Sequence, residues 1–387
     1  MPAATSPASI AAGPIFPANR TAAAFLRGHW QKKSLLVRGA FPGFAGLHTA
    51  RELTTLAMRD DVESRIVIRD GTRWSLAHGP FRRADFRALP ARNWTLLVQG
   101  VNLHSTAADA LLRRFAFLPF SRLDDLMVSL AAPGGGVGPH FDSYDVFLLQ
   151  GSGRRRWKYG RQRDLALKRG LPLKILRRFV PEHDHLLAPG DMLYLPPDCA
   201  HDGIAVDPCT TYSIGFRAPS TNELAVAFLD FLRDHLDLAG RYADPDLEPT
   251  REPARIGAAM QRRCTELLGA IHWDRATMAD FLGCWLSEPK PAVFFDPPPR
   301  PLSRPAFIAR ARSHGVRLDP RTQLLYDDRS VFINGTAQRW PTAGAAEIRE
   351  LANARALPAR TFAAAGRGAA TVLYDWYRHG YVHANTG

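Results

Sequence analysis

Between residues 126 and 217 short apolar runs alternate with Gly/Pro turns: LMVSLAAPGGGVGPHFDSYDVFLLQGSGRRRWKYG, then LLAPGDMLYLPPDCAHDGIAV, then TTYSIGFRAP. Runs this short and this closely spaced predict a β-sandwich or barrel. Residues 21 to 130 mix helical and strand patterns, and FLRGHWQKKSLLVRGAF (25 to 41) passes from one into the other. NELAVAFLDFLRDHL and ARIGAAMQRRCTELLGAIHW carry apolar residues at i, i+3, i+4 spacing, so 221 to 288 reads as helical. FFDPPPRPLSRP (294 to 305) is a stiff proline-rich break. Beyond it, the strand-like runs TQLLYDD and SVFINGTAQRW sit among helical segments, as in a small α+β unit such as a winged helix. The division expected is a loose tail at 1–20, a β-rich domain at 21–219, a helical region at 220–293, the linker at 294–305 and the α+β unit at 306–387.

Within the β-rich region the sharpest chemistry is PHFDSYD, with His140 and Asp142 two apart. His-x-Asp alone says little, because it also occurs at His235/Asp237 and His272/Asp274. Geometry separates the three. Residues i and i+2 of a strand share a face. On a helix they diverge by about 200°. His235 and His272 fall in helical patterns, whereas His140 follows the turn PGGGVG in a strand-rich stretch. The segment PGDMLYLPPDCAHDG then supplies His201 after a turn and a buried strand. Two histidines and one carboxylate form the facial triad of non-haem iron(II) oxygenases, leaving positions open for O₂ and a co-substrate. The histidine-rich EHDH (Glu182 to His185) precedes a turn and is expected to be a solvated loop.

A chelating keto acid such as 2-oxoglutarate needs a buried cation for its distal carboxylate, and a bidentate arginine suits it. In RRRWKYG, alternation puts Arg155, Trp157 and Tyr159 on one face and Arg154, Arg156 and Lys158 on the other. Aromatic residues face a core, so Arg155 is the inward cation. In DDLMVSLAA, Asp125, Met127, Ser129 and Ala131 share a face, and Ser129 offers a hydroxyl to the same carboxylate.

Composition changes the picture in one respect. Apolar residues make up 46% and charged residues 22%, ordinary for a soluble globular protein, and no run approaches a membrane span. The opening twenty residues lack the basic and apolar regions of a signal peptide. The four cysteines (Cys199, Cys209, Cys264, Cys284) form no Cys-x-x-Cys pair, which fits a reducing cytoplasm. The net charge of +13, however, is carried almost entirely by arginine and favours anionic partners, RNA first among them.

HWQKKSLLVRGAF, WTLLVQGVN, the long glycine–His-x-Asp–GRRRW block, PGDMLYLPPDCAHDG and YSIGFRAP together resemble the bacterial JmjC-type ribosomal oxygenases, strongly over about 20 to 250 and weakly beyond. The resemblance implies an α+β protein with a double-stranded β-helix (cupin/JmjC) core, a helical dimerisation region and a C-terminal winged helix. It implies iron(II) on His140, Asp142 and His201, 2-oxoglutarate on Arg155, and O₂ as second co-substrate. It further implies hydroxylation at Cβ of an arginine in the large-subunit ribosomal protein L-sixteen, with Asp125, Met127, Tyr144 and Ser213 around that side chain. Ala131 departs from relatives that carry a second serine there. Contact with rRNA would reconcile a basic enzyme with a basic substrate. Rival readings are a histidine hydroxylase or demethylase on the same scaffold, and a non-enzymatic cupin-like binding module.

Overall fold

The computed structural model describes residues 15–16, 21–341 and 343–386. The expected tail therefore lies outside the described residues, apart from Ile15 and Phe16. Both are buried, with Phe16 stacked 5.1 Å from Phe25.

Helix α1 (Ala22–Gly28), strand β1 (Leu35–Val37) and helix α2 (Ala50–Leu56) lead into the hairpin β2 (Ser64–Asp70) and β3 (Arg73–His78). Then come α3 (Arg83–Arg87), β4 (Trp94–Val98) and α4 (Thr106–Arg113). The region of short apolar runs forms β5 (Leu123–Ala131), β6 (Asp145–Gln150), β7 (Arg155–Gly160), β8 (His183–Leu187), β9 (Met192–Leu195), β10 (Ala200–Ala205) and β11 (Cys209–Phe216). Eight strands make one sheet in the order β1-β9-β6-β11-β5-β4-β2-β3, and β10-β7-β8 make a second. All their pairings are antiparallel, giving the double-stranded β-helix.

Every residue of β6, β9 and β11 is buried, because both faces of these strands are covered. One face carries Phe147, Leu149, Tyr212, Ile214 and Phe216 into a large core beneath the N-terminal helices, with Phe25, Leu53 and Leu111. The other carries Val146, Leu148, Leu193 and Leu195 against Trp157, Tyr159 and Leu187 of the second sheet. Each such side chain, fully buried, contributes about 1.5–3 kcal/mol.

This inner face also holds polar residues. Strand register sets Ser129 opposite Thr211, Thr211 opposite Gln150, and Ser213 between Met127 and Leu148. Thr95 lies opposite Ala131 on the adjoining strand. A run of buried hydroxyls on the inside of a barrel marks where a ligand replaces packing.

Glu182 to Asp184 are exposed as expected, but the segment is a strand and not a loop. Strand β8, from His183, pairs with β7, and His183 and His185 flank the Tyr159 ring at 4.9 and 5.9 Å. β8 is an edge strand, where exposed charged side chains are favourable.

The C-terminal part comprises α5 (Thr221–His235), α6 (Ala258–Leu268), α7 (Arg275–Ser287), α8 (Arg304–His314), β12 (Val316–Leu318), β13 (Leu324–Tyr326), β14 (Ser330–Ile333), β15 (Thr336–Arg339), α9 (Ala345–Ala354), β16 (Ala356–Leu357), α10 (Ala359–Ala364), α11 (Arg367–Arg378) and β17 (Val382–Ala384). Asn334 and Gly335, both at positive φ, close a two-residue turn between β14 and β15, the hairpin that Asn-Gly between strand patterns signals. Phe307, Ile348, Leu351 and Trp376 centre this unit's own core. Buried Arg355 ties it together through the carbonyls of Thr322 and Asp319, at 2.9 and 2.7 Å. In contrast, α6 buries no described side chain and α5 only Leu232, while Val226, Leu229, Met260, Leu268 and Trp273 are exposed. No helix among the described residues is long and apolar enough to cross a membrane.

Within the smaller sheet Gly203 of β10 lies directly opposite Trp157 of β7, and an added Cβ would lie 2.6 Å from that buried ring. Gly203→Ala is expected to destabilise the β-helix by about 1–3 kcal/mol through overpacking. Thermal unfolding followed by near-UV dichroism checks this, and an unchanged midpoint would contradict the close approach.

Candidate metal centre and co-substrate pocket

The loop PGGGVGPH threads between the two sheets, and its glycines are what make that possible. A Cβ at Gly135 would sit 2.1 Å from the Trp94 carbonyl oxygen, and one at Gly136 2.6 Å from that of Gly203. Gly134 N donates to Ala205 O and Ala205 N to Gly135 O, at 2.8 and 2.9 Å. The loop then reaches His140, which exchanges two backbone hydrogen bonds with His201: His140 N to His201 O at 2.9 Å and His201 N to His140 O at 2.8 Å.

That exchange brings the two imidazoles side by side, with ring centroids 4.2 Å apart. The sequence placed His140 and Asp142 on a strand, but neither is in one: His140 forms an isolated bridge to His201, and Asp142 follows in irregular chain. The reason is local. The loop meets β10 at Ala205 and again at His201, the pairing stops beyond His140, and Asp142 is fixed instead by its carbonyl, which accepts from Asp198 N at 2.8 Å. His140 Nε2 is 3.9 Å and His201 Nε2 3.6 Å from the Asp142 carboxylate. Ligand atoms of all three lie within 4.8 Å of one another, the one such group of three or more among the described residues.

Each Nδ1 faces a backbone carbonyl: His140 with Gly138 O at 2.8 Å, His201 with Cys199 O at 2.9 Å. A carbonyl only accepts, so Nδ1 carries the proton and Nε2 presents its lone pair toward Asp142. Burial, reinforced by His140, lowers the His201 pKa to about 4, so its imidazole is neutral near pH 7. The donor set fits a divalent metal with open positions.

The other two His-x-Asp pairs lie elsewhere. His235 ends α5, its Nδ1 2.7 Å from Phe231 O. His272 is not helical, as its pattern suggested; it lies in the connection before α7, because Asp274 caps that helix by accepting from Thr277 N at 2.7 Å.

Arg155 points inward and is 5% exposed. Its Nε and Nη2 have no hydrogen-bond partner among the described residues. Leaving a buried cation unpaired costs about 3–5 kcal/mol, so this guanidinium calls for an anion. Ser129 faces the same interior, and its contact to Thr211 O, at 3.5 Å, is at the limit of a hydrogen bond. Thr95 Oγ1 is also buried without a partner among the described residues. Thr95 faces Ala131 across the strand pair, so a hydroxyl is present next to the position where Ala131 lacks one. Sequence reasoning missed Thr95, although alternation along WTLLV sets it two residues from Leu97 on one face. The buried donors fit a dicarboxylate.

Asp125, Met127, Tyr144 and Ser213 also belong to this interior. Asp125 accepts from Gln99 Nε2 at 2.8 Å and Gly100 N at 3.0 Å. Burial pushes its carboxyl pKa up, opposed by Lys290. Lys290 Nζ lies 3.4 Å from Asp125 and 3.0 Å from Asp124. No sequence signal marked Lys290, 165 positions away. Met127 is half-buried and Ser213 buried opposite it. Burial and neighbouring carboxylates raise the Tyr144 phenol pKa far above its ordinary value. Tyr144 lines a cavity of about 670 Å³ with Asp124, Glu223, Asp230, Arg217 and Lys290.

Residues 110–224 match the JmjC domain family, and residues 270–383 match the ROXA-like winged helix family. The chain is 38% identical to the ribosomal protein uL16 3-hydroxylase of Escherichia coli, across 80% of this chain and 83% of that protein. It is 36% identical to a probable ribosomal oxygenase of Haemophilus influenzae, across 64% of this chain and 60% of that protein. A solved ribosomal oxygenase from Escherichia coli in complex with cobalt and 2-oxoglutarate superposes with a TM-score of 0.79 at 33% identity, covering 93% of this chain and 96% of that one.

His201→Ala removes the most buried donor. Its affinity for Co²⁺, followed by calorimetry on the apoprotein, is expected to fall by more than roughly 100-fold, since losing even a supporting contact to a ligand costs 10–100-fold. Unchanged affinity would place the metal elsewhere.

Proposed function

The chain belongs to the JmjC-type ribosomal oxygenases, and from that premise we propose that it hydroxylates Cβ of an arginine in the large-subunit ribosomal protein uL16. It is a 2-oxoglutarate-dependent oxygenase that uses a divalent iron-type metal. The observation that carries the reading is Arg155, a buried guanidinium with unmet donors inside the barrel that holds the triad.

Iron(II), 2-oxoglutarate and O₂, when bound, supply an oxidant able to hydroxylate an unactivated C–H bond, with release of succinate and CO₂. The protein's share is placement and exclusion of water. His140, Asp142 and His201 would hold the metal on one face. Arg155 would grip the distal carboxylate of 2-oxoglutarate, with Ser129 and Thr95 adding hydroxyl donors. Leu148, Leu193 and Trp157 wall the interior and keep it dry.

For the substrate, Asp125 supplies a carboxylate and Tyr144 a phenol to a guanidinium, while Met127 and Ser213 border its stem. Lys290 now occupies the cation position beside Asp124 and Asp125, so an incoming guanidinium competes with it. Paired aspartates favour a cationic side chain over the neutral imidazole of a histidine hydroxylase's substrate. Arg155 argues against a non-enzymatic module, which needs no buried cation.

The same reading includes a homodimer, a cytoplasmic location and contact with rRNA. The exposed apolar residues of α5 and α6 support the first. Four unpaired cysteines and a ribosomal substrate support the second. The net charge of +13 supports the third.

Purified enzyme with iron(II), 2-oxoglutarate and uL16 is expected to add one oxygen atom to an arginine, located by tandem mass spectrometry. Oxidation of a histidine, or none, would refute the substrate assignment. Arg155→Met is expected to weaken 2-oxoglutarate binding roughly 10- to 100-fold, the worth of a charge-assisted pair, in calorimetry on the metal-loaded protein. Equal affinity would refute the role of Arg155.

A further inference from the structure

Between β7 and β8 the chain leaves the barrel. Residues 161 to 178 read RQRDLALKRGLPLKILRR, seven cations with Asp164 as the one acid. All seven, Arg161, Arg163, Lys168, Arg169, Lys174, Arg177 and Arg178, are exposed. Among the described residues only Arg177 has an ion-pair partner, Asp164 at 3.8 Å.

The excursion is pinned. Lys168 N donates to Ile175 O and Arg177 N to Ala166 O, both at 2.8 Å. Leu176 N donates to Pro139 O at 2.8 Å, one residue before His140. Ile175 and Leu176 are buried, and the Ile175 side chain and the Trp74 ring both close over Gly138. The cations are thus displayed by an ordered scaffold at the edge of the metal centre. Next to them lies a groove of about 530 Å³ formed by Thr72, Trp74, Lys168, Arg169, Leu171 and Arg177. The Arg69 guanidinium lies 5.8 Å from the centre of the Trp74 ring, so the groove's aromatic wall is itself edged by a further cation.

We propose that this excursion and the Trp74 groove bind single-stranded RNA beside the active site. Repelled charge packed this densely is stabilised by a polyanion, and counterion release from phosphates supplies the affinity. An aromatic face among cations is what stacks an unpaired base. The inference rests on the ribosomal reading above. A cationic ribosomal protein is repelled by this surface and suits the Asp124/Asp125 side, whereas the RNA that such a protein binds suits this one. The enzyme then has two charge-sorted surfaces, one for the protein and one for its RNA.

The test uses the full chain and a labelled oligouridylate of roughly 15 nucleotides, near the upper site size of a single-strand groove. Fluorescence anisotropy is recorded across a salt series for the wild type and for a Lys168→Gln, Arg169→Gln, Arg177→Gln triple variant, with polyglutamate as competitor. The wild type is expected to bind with steep salt dependence. The triple variant is expected to bind at least tenfold more weakly, and its log–log salt slope to be smaller by about 2, as three lost phosphate contacts require. Equal binding by the variant overturns the proposal, as does competition by polyglutamate as effective as by unlabelled RNA. Both proteins are assayed in parallel for 2-oxoglutarate-dependent oxidation of an isolated uL16 peptide. The triple variant should match the wild type there. Loss of peptide oxidation by the wild type would count against the ribosomal reading and leave the RNA measurement standing by itself.

Discussion

Two backbone hydrogen bonds, exchanged between His140 and His201, govern the rest of the site. They anchor the end of a glycine loop to the smaller sheet and so set two imidazoles side by side, tilted 57° to each other. Everything needed for that junction is visible around it. The glycines let the loop pass where a Cβ would strike a carbonyl, and Gly203 leaves room for Trp157 behind it. The carbonyls of Gly138 and Cys199 then fix both rings with Nε2 toward Asp142. A metal added to this arrangement finds donors already oriented, so little ordering entropy remains to oppose binding.

The second organising constraint is electrostatic. A barrel interior is a poor place for a cation, yet Arg155 is buried there with donors unmet. At Asp125 the imbalance has the opposite sign and is relieved from within the chain by Lys290. One interior therefore holds a cation with unmet donors and a carboxylate already paired within the chain. Burial of both groups strengthens such interactions by keeping water away. Stability is given up at Arg155 for binding, and the extensive core around Phe25, Phe147 and Phe216 offsets it.

Much of this was legible from the sequence. Period-two alternation found the inward Arg155 and Ser129, because a strand covered on both faces still sorts its side chains strictly. The i, i+3, i+4 spacing behind α5, α6 and α7 was an equally local signal, whereas SVFINGTAQRW, read as one strand-like run, is the β14–β15 hairpin that turns at Asn334 and Gly335. What escaped were contacts made across long separations. Lys290 reaches Asp125 only through the fold, and Thr95 matters only because Ala131 lies opposite it. Local pattern also misled where pairing decides conformation. Glu182–His185 reads as a loop until β7 is found beside it, and His140 reads as a strand although a single bridge holds it. His272 reads as helical although Asp274, two residues on, is the cap that begins the helix.

The central claim is that one interior binds a metal on His140, Asp142 and His201 and a dicarboxylate on Arg155. Anomalous diffraction from crystals grown with Co²⁺ and 2-oxoglutarate tests it most directly. The account predicts a cobalt peak enclosed by the two Nε2 atoms and the Asp142 carboxylate, with the ligand's distal carboxylate on Arg155 Nε and Nη2. A cobalt peak elsewhere, or a distal carboxylate that leaves Arg155 unpaired, would contradict it.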